Sequence, residues 1–167
     1  MDDRVKGLMF SSLRGDWETP QKLFDKLHSE FSFALDAAAK PSNAKCSRYL
    51  SHDRDAFKLD WHREADGGSV FLNPPYGRGI DAWLGLADQW SEYCRQVVCL
   101  VPARTDTRWF HEIVADRHEV RFLKGRVNFE IDGIAQDPAP FPSMIVVMRK
   151  EPRPLWRGWN WKESEKT

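Results

Sequence analysis

Short, continuous apolar runs constrain this chain most strongly, because they have the length and composition of buried strands. Gln96–Pro102 and Ser143–Met148 are the clearest, and Ser69–Asn73 is a shorter run that ends at two prolines. Phe31–Asp36 alternates apolar and polar residues, which also favours a strand. Amphipathic segments separate these runs, so the pattern predicts an α/β fold in which helices cover a largely parallel sheet.

The intervening segments predict the helices. Thr19 is placed to cap a helix with Pro20 in its first position, and apolar residues then recur at helical spacing as far as Phe31. Ile80–Tyr93 and Thr107–Ala115 are the other predicted helices. Further along, residues 120–131 alternate and predict strands on either side of a Lys-Gly turn.

Functional side chains are expected where the predicted strands end. Asp36, Asn73 and Pro102 each close a strand. Parallel sheets bind ligands at the carboxyl ends of their strands. The same edge of the sheet should therefore carry the functional site.

Composition excludes several classes of protein. The 167 residues suit a single domain, with 41% hydrophobic and 30% charged residues, as in globular proteins. No stretch approaches the ~20 apolar residues of a membrane span, and the first residues do not resemble a signal peptide. We therefore expect a cytoplasmic protein without membrane contacts. The net charge of zero does not by itself indicate a nucleic-acid binder.

Neither cysteines nor histidines predict a metal site. The chain has three cysteines, Cys46, Cys94 and Cys99, and none lies in a CxxC pair. The five histidines lack the HxxxH-type spacing of metal ligands. We expect reduced thiols and no metal.

Asn73-Pro74-Pro75-Tyr76 is the motif that carries chemistry. The exocyclic amine of adenine is a poor nucleophile because its lone pair is delocalised into the ring. The Asn73 side-chain oxygen and the Pro74 carbonyl could accept its two N–H bonds and free the lone pair, in a frame that the two prolines stiffen. Tyr76 offers an aromatic face to a base that has left the duplex stack. The simpler interpretation is an ordinary turn, which Asn and Pro also favour.

Around this motif the sequence resembles the phage-type DNA N6-adenine methyltransferases, the Dam family of phages and prophages. The resemblance covers roughly residues 17–148 and is carried by several segments: Trp17–Pro20, Leu35–Ala39, Asn43–Cys46, Arg48–Tyr49, Asp60–Trp61, Phe71–Gly77, Pro102–His111, Phe122–Arg126 and Phe141–Ser143.

The resemblance implies the class I methyltransferase fold, a mostly parallel seven-stranded sheet with helices on both faces. It also implies S-adenosylmethionine as cofactor, double-stranded DNA as partner, N6-methyladenine as product and a bacterial host cell. One departure concerns the glycine-rich turn usual after the first strand, which is replaced here by Ala37, Ala38 and Ala39.

Candidate cofactor residues come from the resemblance and from residue chemistry. Asp36 would hold the methionine ammonium, or else cap a helix. Asp53, Asp55 and Asp60 are candidates for the ribose hydroxyls or the adenine amine, and the sequence does not choose between Asp53 and Asp55. The resemblance adds a set at the cofactor's amino-acid end and beside the turn: Trp17, Thr19, Pro20, Ala37 and Ala38.

Four basic residues are candidate DNA contacts. Arg104 and Arg108 follow the strand that ends at Pro102, beside the expected target site. Lys124 and Arg126 flank Gly125 in a tight turn. The alternative for each pair is an ordinary solvated surface.

The domain is expected to divide into a catalytic core at 17–148 and a Pro-, Arg- and Trp-rich tail at 149–167. Wrapping the domain, packing in a homodimer and touching DNA are all open roles for the tail. Two rival functions also stay open. One is a methyltransferase acting on protein glutamine or an RNA amine, and the other is a catalytically silent DNA-binding module.

Overall fold

The computed structural model describes residues 17–163, in which strands and helices alternate. The helices are α1 (Gln21–Phe31), α2 (Trp61–Glu64), α3 (Ile80–Ser91) and a short π-helix (Phe110–Val114). The strands are β1 (Phe33–Asp36), β2 (Ser69–Leu72), β3 (Gln96–Pro102), β4 (Glu119–Leu123), β5 (Glu130–Ile131), β6 (Ile134–Ala135), β7 (Ser143–Met148) and β8 (Leu155–Trp159).

The main sheet has the order β1-β2-β3-β7-β4-β8. Its pairs are parallel except that β7 runs antiparallel to both β3 and β4. The predicted α/β class with a mostly parallel sheet is confirmed. Within residues 17–163 the main sheet has six strands, where seven were expected.

The apolar runs form the centre of this sheet. β7 is buried along its whole length, and β3 is buried from Val97 to Pro102. Helix α1 packs onto the β1–β2 end through Phe24, whose ring centroid lies 5.2 Å from that of Phe71 and 5.6 Å from that of Phe33. This packing fixes the start of α1 against the end of β2, where the candidate site lies.

Two local predictions differ from the structure, one wholly and one in part. Thr19 does not cap α1, because Pro20 is the N-cap residue and no side chain bonds there. The strands predicted on either side of Lys124-Gly125 are present as β4 and the short β5, but they do not pair with each other. β4 ends at Leu123 and pairs with β7 and β8, while the chain beyond Gly125 turns away and Val127 accepts a backbone bond from Ala139.

Part of the tail joins the sheet. β8 lies parallel to β4 at the sheet edge, and Trp161 beyond it is 5% exposed. Buried Glu119 accepts from Arg149 and Arg157 at 3.0 and 3.4 Å, and so connects the tail to β4. Of the three open roles, wrapping the domain is therefore seen for residues 155–161.

Within residues 17–163, no helix has the length and hydropathy needed to cross a bilayer. In the same residues, no cluster of three or more His, Cys, Asp or Glu side chains is arranged to bind a metal ion. All three cysteines are free thiols.

Candidate active site

A cavity of about 820 Å³ lies at the carboxyl ends of β1 and β2. The register of these strands places Asp36 beside Phe71, two residues before Asn73. Sequence-predicted residues that line the cavity are Trp17, Thr19, Asp36, Ala37, Ala38, Asp53, Asp55, Asn73 and Pro75. Pro20, Pro74, Tyr76 and the four candidate DNA contacts are not on its wall.

Asp36 places a carboxylate deep in this wall, where it is 3% exposed. Its two oxygens accept backbone N–H bonds from Lys45 and Ala38, at 3.0 and 3.3 Å. Burial raises the pKa of the Asp36 carboxyl from 3.8 to about 6, and these two backbone bonds and the Lys45 charge oppose the rise. A buried carboxylate with a raised pKa gains most from a cationic ligand that enters the cavity.

The turn after β1 is built without glycine. Ala37 donates a backbone bond to Phe71 at 2.9 Å, and Ala39 donates to Leu50 at 2.9 Å. None of Ala37, Ala38 and Ala39 adopts a positive φ. The departure from the usual glycine-rich turn is therefore explained, since this backbone does not need the conformations that only glycine reaches easily.

Asn73 is held by the segment before α1. Its Nδ2 donates to the Trp17 carbonyl at 2.7 Å and to the Thr19 hydroxyl at 3.0 Å. Because a carbonyl only accepts, the Trp17 bond decides which amide atom is the nitrogen. The remaining atom, Asn73 Oδ1, is buried and has no hydrogen-bond partner. A buried acceptor without a partner is costly and is typical of functional sites.

Tyr76 does not present the aromatic face that the sequence predicted. Its side chain is 2% exposed, and its hydroxyl donates to the Leu100 carbonyl at 3.1 Å. The ring packs edge-on against Phe129 and Phe141, with centroids 5.9 and 5.7 Å away. Because its ring is buried and its hydroxyl is hydrogen-bonded, Tyr76 packs into the core and holds the Asn73–Tyr76 loop in place.

The three candidate acidic residues differ in position. Asp53 is 98% exposed at its side chain, while Asp55 is 41% exposed and accepts from the Phe57 N–H at 2.9 Å. Asp60 caps α2 by accepting from the Arg63 N–H at 2.9 Å, and it is not on the cavity wall. Asp53 and Asp55 therefore remain candidates, and Asp60 is explained by its cap.

The sequence did not reveal the aromatic residue of the outer wall, the part of the cavity lining that includes Asp53, Asp55 and Trp83. Trp83 lies in the helix predicted at Ile80–Tyr93 and was given no functional role, yet it is half-buried and lines the cavity. Its ring lies edge-on to Phe57, with centroids 4.8 Å apart, and Phe57 is 48% exposed. A large aromatic residue one turn into the helix that follows the motif was the available signal.

The candidate DNA contacts are exposed and lie towards the same edge of the sheet as Asn73. β3 and β4 run in the same direction, so Arg104 and Lys124 follow strands that end there. Arg108 is 90% exposed and pairs with Glu112 at 3.3 Å. Arg126 donates to the Ala139 carbonyl at 3.4 Å.

Comparison with known proteins identifies relatives. Residues 8–163 match the family described as DNA N-6-adenine-methyltransferase (Dam). The chain is 30% identical over 123 residues to the DNA N-6-adenine-methyltransferase of Escherichia phage T1, a match that covers 73% of this chain and 50% of that protein. It is 26% identical over 136 residues to the enzyme of the same name from Haemophilus phage HP1, which covers 78% of this chain and 76% of that protein. The chain thus spans about half the length of the T1 relative.

Proposed function

The chain belongs to the DNA N-6-adenine-methyltransferase (Dam) family, and from that premise we propose that it transfers a methyl group from S-adenosylmethionine to the N6 amine of adenine in double-stranded DNA. The observation that carries the proposal is the buried, unpaired Oδ1 of Asn73 beside a cavity large enough for a nucleoside cofactor. We assign the domain to the class I methyltransferase fold, with a catalytic core at 17–148.

The residues present fit the cofactor. The buried Asp36 carboxylate suits the methionine ammonium, because a cation offsets the cost of burying the anion. Asp55 suits the ribose hydroxyls better than Asp53 does, since it is less exposed and already oriented by a backbone bond. Trp83, against which Phe57 packs edge-on, supplies apolar surface on the cavity wall for a planar group. When bound, S-adenosylmethionine supplies an electrophilic methyl group on a sulfonium.

Asn73 then acts on the target amine. With both of its own N–H bonds directed to Trp17 and Thr19, its Oδ1 accepts an N–H of the adenine amine. The Pro74 carbonyl accepts the other N–H, and together they localise the nitrogen lone pair for attack. The adenine has to leave the helix to reach this depth, and Oδ1 is uncovered as the base enters. Tyr76 holds the loop from below and does not stack on the base in the observed arrangement.

DNA binding is assigned to Arg104, Arg108, Lys124 and Arg126, whose exposure and position at this edge suit phosphate contacts. Homodimer formation stays a prediction. Within the described residues, the exposed Leu155 and Trp156 on the edge strand β8 are the apolar surface that suits it.

The decisive experiment is incubation of the full chain with labelled cofactor and duplex DNA, followed by nucleoside analysis. Label in N6-methyladenine that is lost with Asn73→Ala supports the proposal. Label in protein or RNA favours the rival amine methyltransferase. If the chain binds DNA but has no measurable affinity for S-adenosylmethionine, the result favours the silent DNA-binding module.

A further inference from the structure

The contact between Thr19 and Asn73 joins residues 54 positions apart. The Asn73 amide has two N–H bonds, and both are used, one by the Trp17 carbonyl and one by the Thr19 hydroxyl. Thr19 is 3% exposed, so this hydroxyl has little access to bulk water. Its oxygen accepts from Asn73, which leaves its own hydrogen available to donate elsewhere.

The segment that carries these two acceptors is fixed from several sides. Glu18 and Glu130 exchange two backbone hydrogen bonds, at 3.1 and 2.9 Å. The Trp17 ring packs edge-on against Phe129 and Phe141, with centroids 5.4 and 5.6 Å away. The acceptors that face Asn73 are therefore held in place by backbone pairing and ring packing, independently of any ligand.

The two acceptors have different effects on the amide. A flipped Asn73 would bring its oxygen to about 2.7 Å from the Trp17 carbonyl, where two acceptors repel. Thr19 could tolerate either orientation, since a hydroxyl both donates and accepts. The Trp17 bond therefore selects the orientation, and the Thr19 bond restricts rotation about it.

We infer that Thr19 is a positioning residue for Asn73, which holds the amide so that Oδ1 faces the target amine. This role rests on the proposed function, because it acts through the acceptor that the methyl transfer uses. It differs from the cofactor contact that the family resemblance implies for Thr19. A preorganised acceptor contributes most in the transition state, so loss of Thr19 should lower kcat more than it weakens cofactor binding.

The test compares Thr19→Val, which keeps the shape without the hydroxyl, with Thr19→Ser, which keeps the hydroxyl. Losing one neutral hydrogen bond corresponds to about a tenfold change. We expect Thr19→Val to lower kcat about tenfold at saturating cofactor, with the Kd of S-adenosylmethionine changed by less than about threefold. Thr19→Ser should restore most of kcat. In an Asn73→Ala background, Thr19→Val should cost nothing further, because the partner it acts through is gone.

A second readout does not depend on activity. In nuclear magnetic resonance spectra of the wild-type chain, both protons of the Asn73 side-chain amide, assigned by their loss in Asn73→Ala, should exchange slowly with solvent. Thr19→Val should release one of them, and Thr19→Ser should not.

An unchanged kcat in Thr19→Val, or a tenfold rise in cofactor Kd with kcat intact, would overturn the inference. So would a tenfold loss of kcat caused by Thr19→Val when Asn73 is already replaced by Ala. Fast exchange of both amide protons in the wild type would also overturn it. If Thr19→Val fails to fold, Thr19→Ser and the wild-type amide signals still decide. An inactive wild type would defeat the proposed function, while the amide signals would still report whether Thr19 holds Asn73.

Discussion

The two walls of the cavity are built differently. On the inner wall, Asp36 accepts from the Lys45 N–H nine residues away as well as from Ala38. Asn73 donates to Trp17 and Thr19, which belong to a distant segment, and Thr19 is almost fully buried. On the outer wall, Asp53 is 98% exposed at its side chain, and Asp55 is held by an N–H two residues away. The inner wall is preorganised by the fold, whereas the outer wall depends on its own loop.

The difference separates two tasks. Activation of a poor nucleophile requires an acceptor fixed within a fraction of an ångström, because a misplaced group loses most of its effect. Cofactor capture tolerates a loop that adjusts on binding. Substitutions on the inner wall should therefore produce larger and more specific effects than substitutions at exposed positions.

The largest effect is expected for Asn73→Ala. It removes the acceptor while leaving the Pro74 carbonyl, so only one N–H of the target amine is polarised. Loss of one preorganised group of this kind costs roughly 3–4 kcal/mol, so kcat should fall by about 10²–10³. Cofactor affinity, measured by calorimetry, should barely change. A fully active variant would mean that the motif is only a turn.

Asn73→Asp sharpens the same comparison. Its second oxygen would face the Trp17 carbonyl, which now accepts from Nδ2 at 2.7 Å. That contact is favourable only when the carboxyl holds a proton there. We expect residual activity that increases, relative to the wild type, as the pH is lowered. A relative activity that does not vary with pH would show that the Trp17 contact does not constrain the amide.

The pH dependence of stability tests the burial of Asp36. Because burial raises the pKa of its carboxyl from 3.8 to about 6, the folded state binds more protons than the unfolded state between these values. Protonation of Asp36 therefore contributes its full stabilisation of the folded state below about pH 4. This contribution is lost as the pH rises through 6, which lowers the free energy of unfolding by on the order of 2–3 kcal/mol.

Urea unfolding of the cofactor-free wild type and Asp36→Asn, from pH 4 to 7, measures this loss. The difference between the two free energies of unfolding isolates Asp36, since the other titrating groups are common to both. The wild type should lose stability relative to the variant as the pH rises. A constant difference would show that the carboxyl is better solvated than the structure indicates.

Asp36→Ala should also weaken cofactor binding. Losing a charged partner for an ammonium costs at least ~1.4 kcal/mol, which is a tenfold increase in Kd. Asp53→Ala, at the exposed position, is the matched control and should change Kd much less, because water screens its charge. Equal effects at the two positions would contradict the comparison between the walls.

The inner wall was only partly visible in the sequence. The limits of β3 and β7 were predicted correctly because an unbroken apolar run leaves few alternatives. Asp36 and Asn73 were predicted at the same edge of the sheet because each ends a strand, and the structure shows that their two strands are adjacent. These inferences need only local pattern and topology.

The remainder depended on contacts between distant segments. The bond from Asn73 to Thr19 and the burial of Tyr76 against Phe129 depend on three-dimensional packing that no local pattern encodes. The pairing of β8 with β4 was also not predicted. The exposed, tryptophan-rich sequence of β8 does not show the alternation of a strand, and its partner lies in a distant segment.

The smallest effect is expected for a single exposed arginine of the DNA-facing edge. Each phosphate contact releases counterions from the duplex, so Arg104→Ala or Arg126→Ala should reduce the slope of log affinity against log salt by roughly one unit. One unit corresponds to about a fourfold difference in how much affinity is lost between 50 and 200 mM salt.

Arg108→Ala should have less effect, because Arg108 already pairs with Glu112. The matched control is Arg153→Ala, which precedes β8 at the opposite edge of the sheet and should leave the slope unchanged. Fluorescence anisotropy with duplex DNA at several salt concentrations measures all four. If the triple variant of Arg104, Arg108 and Arg126 binds with the wild-type slope, DNA approaches the cavity over a different surface.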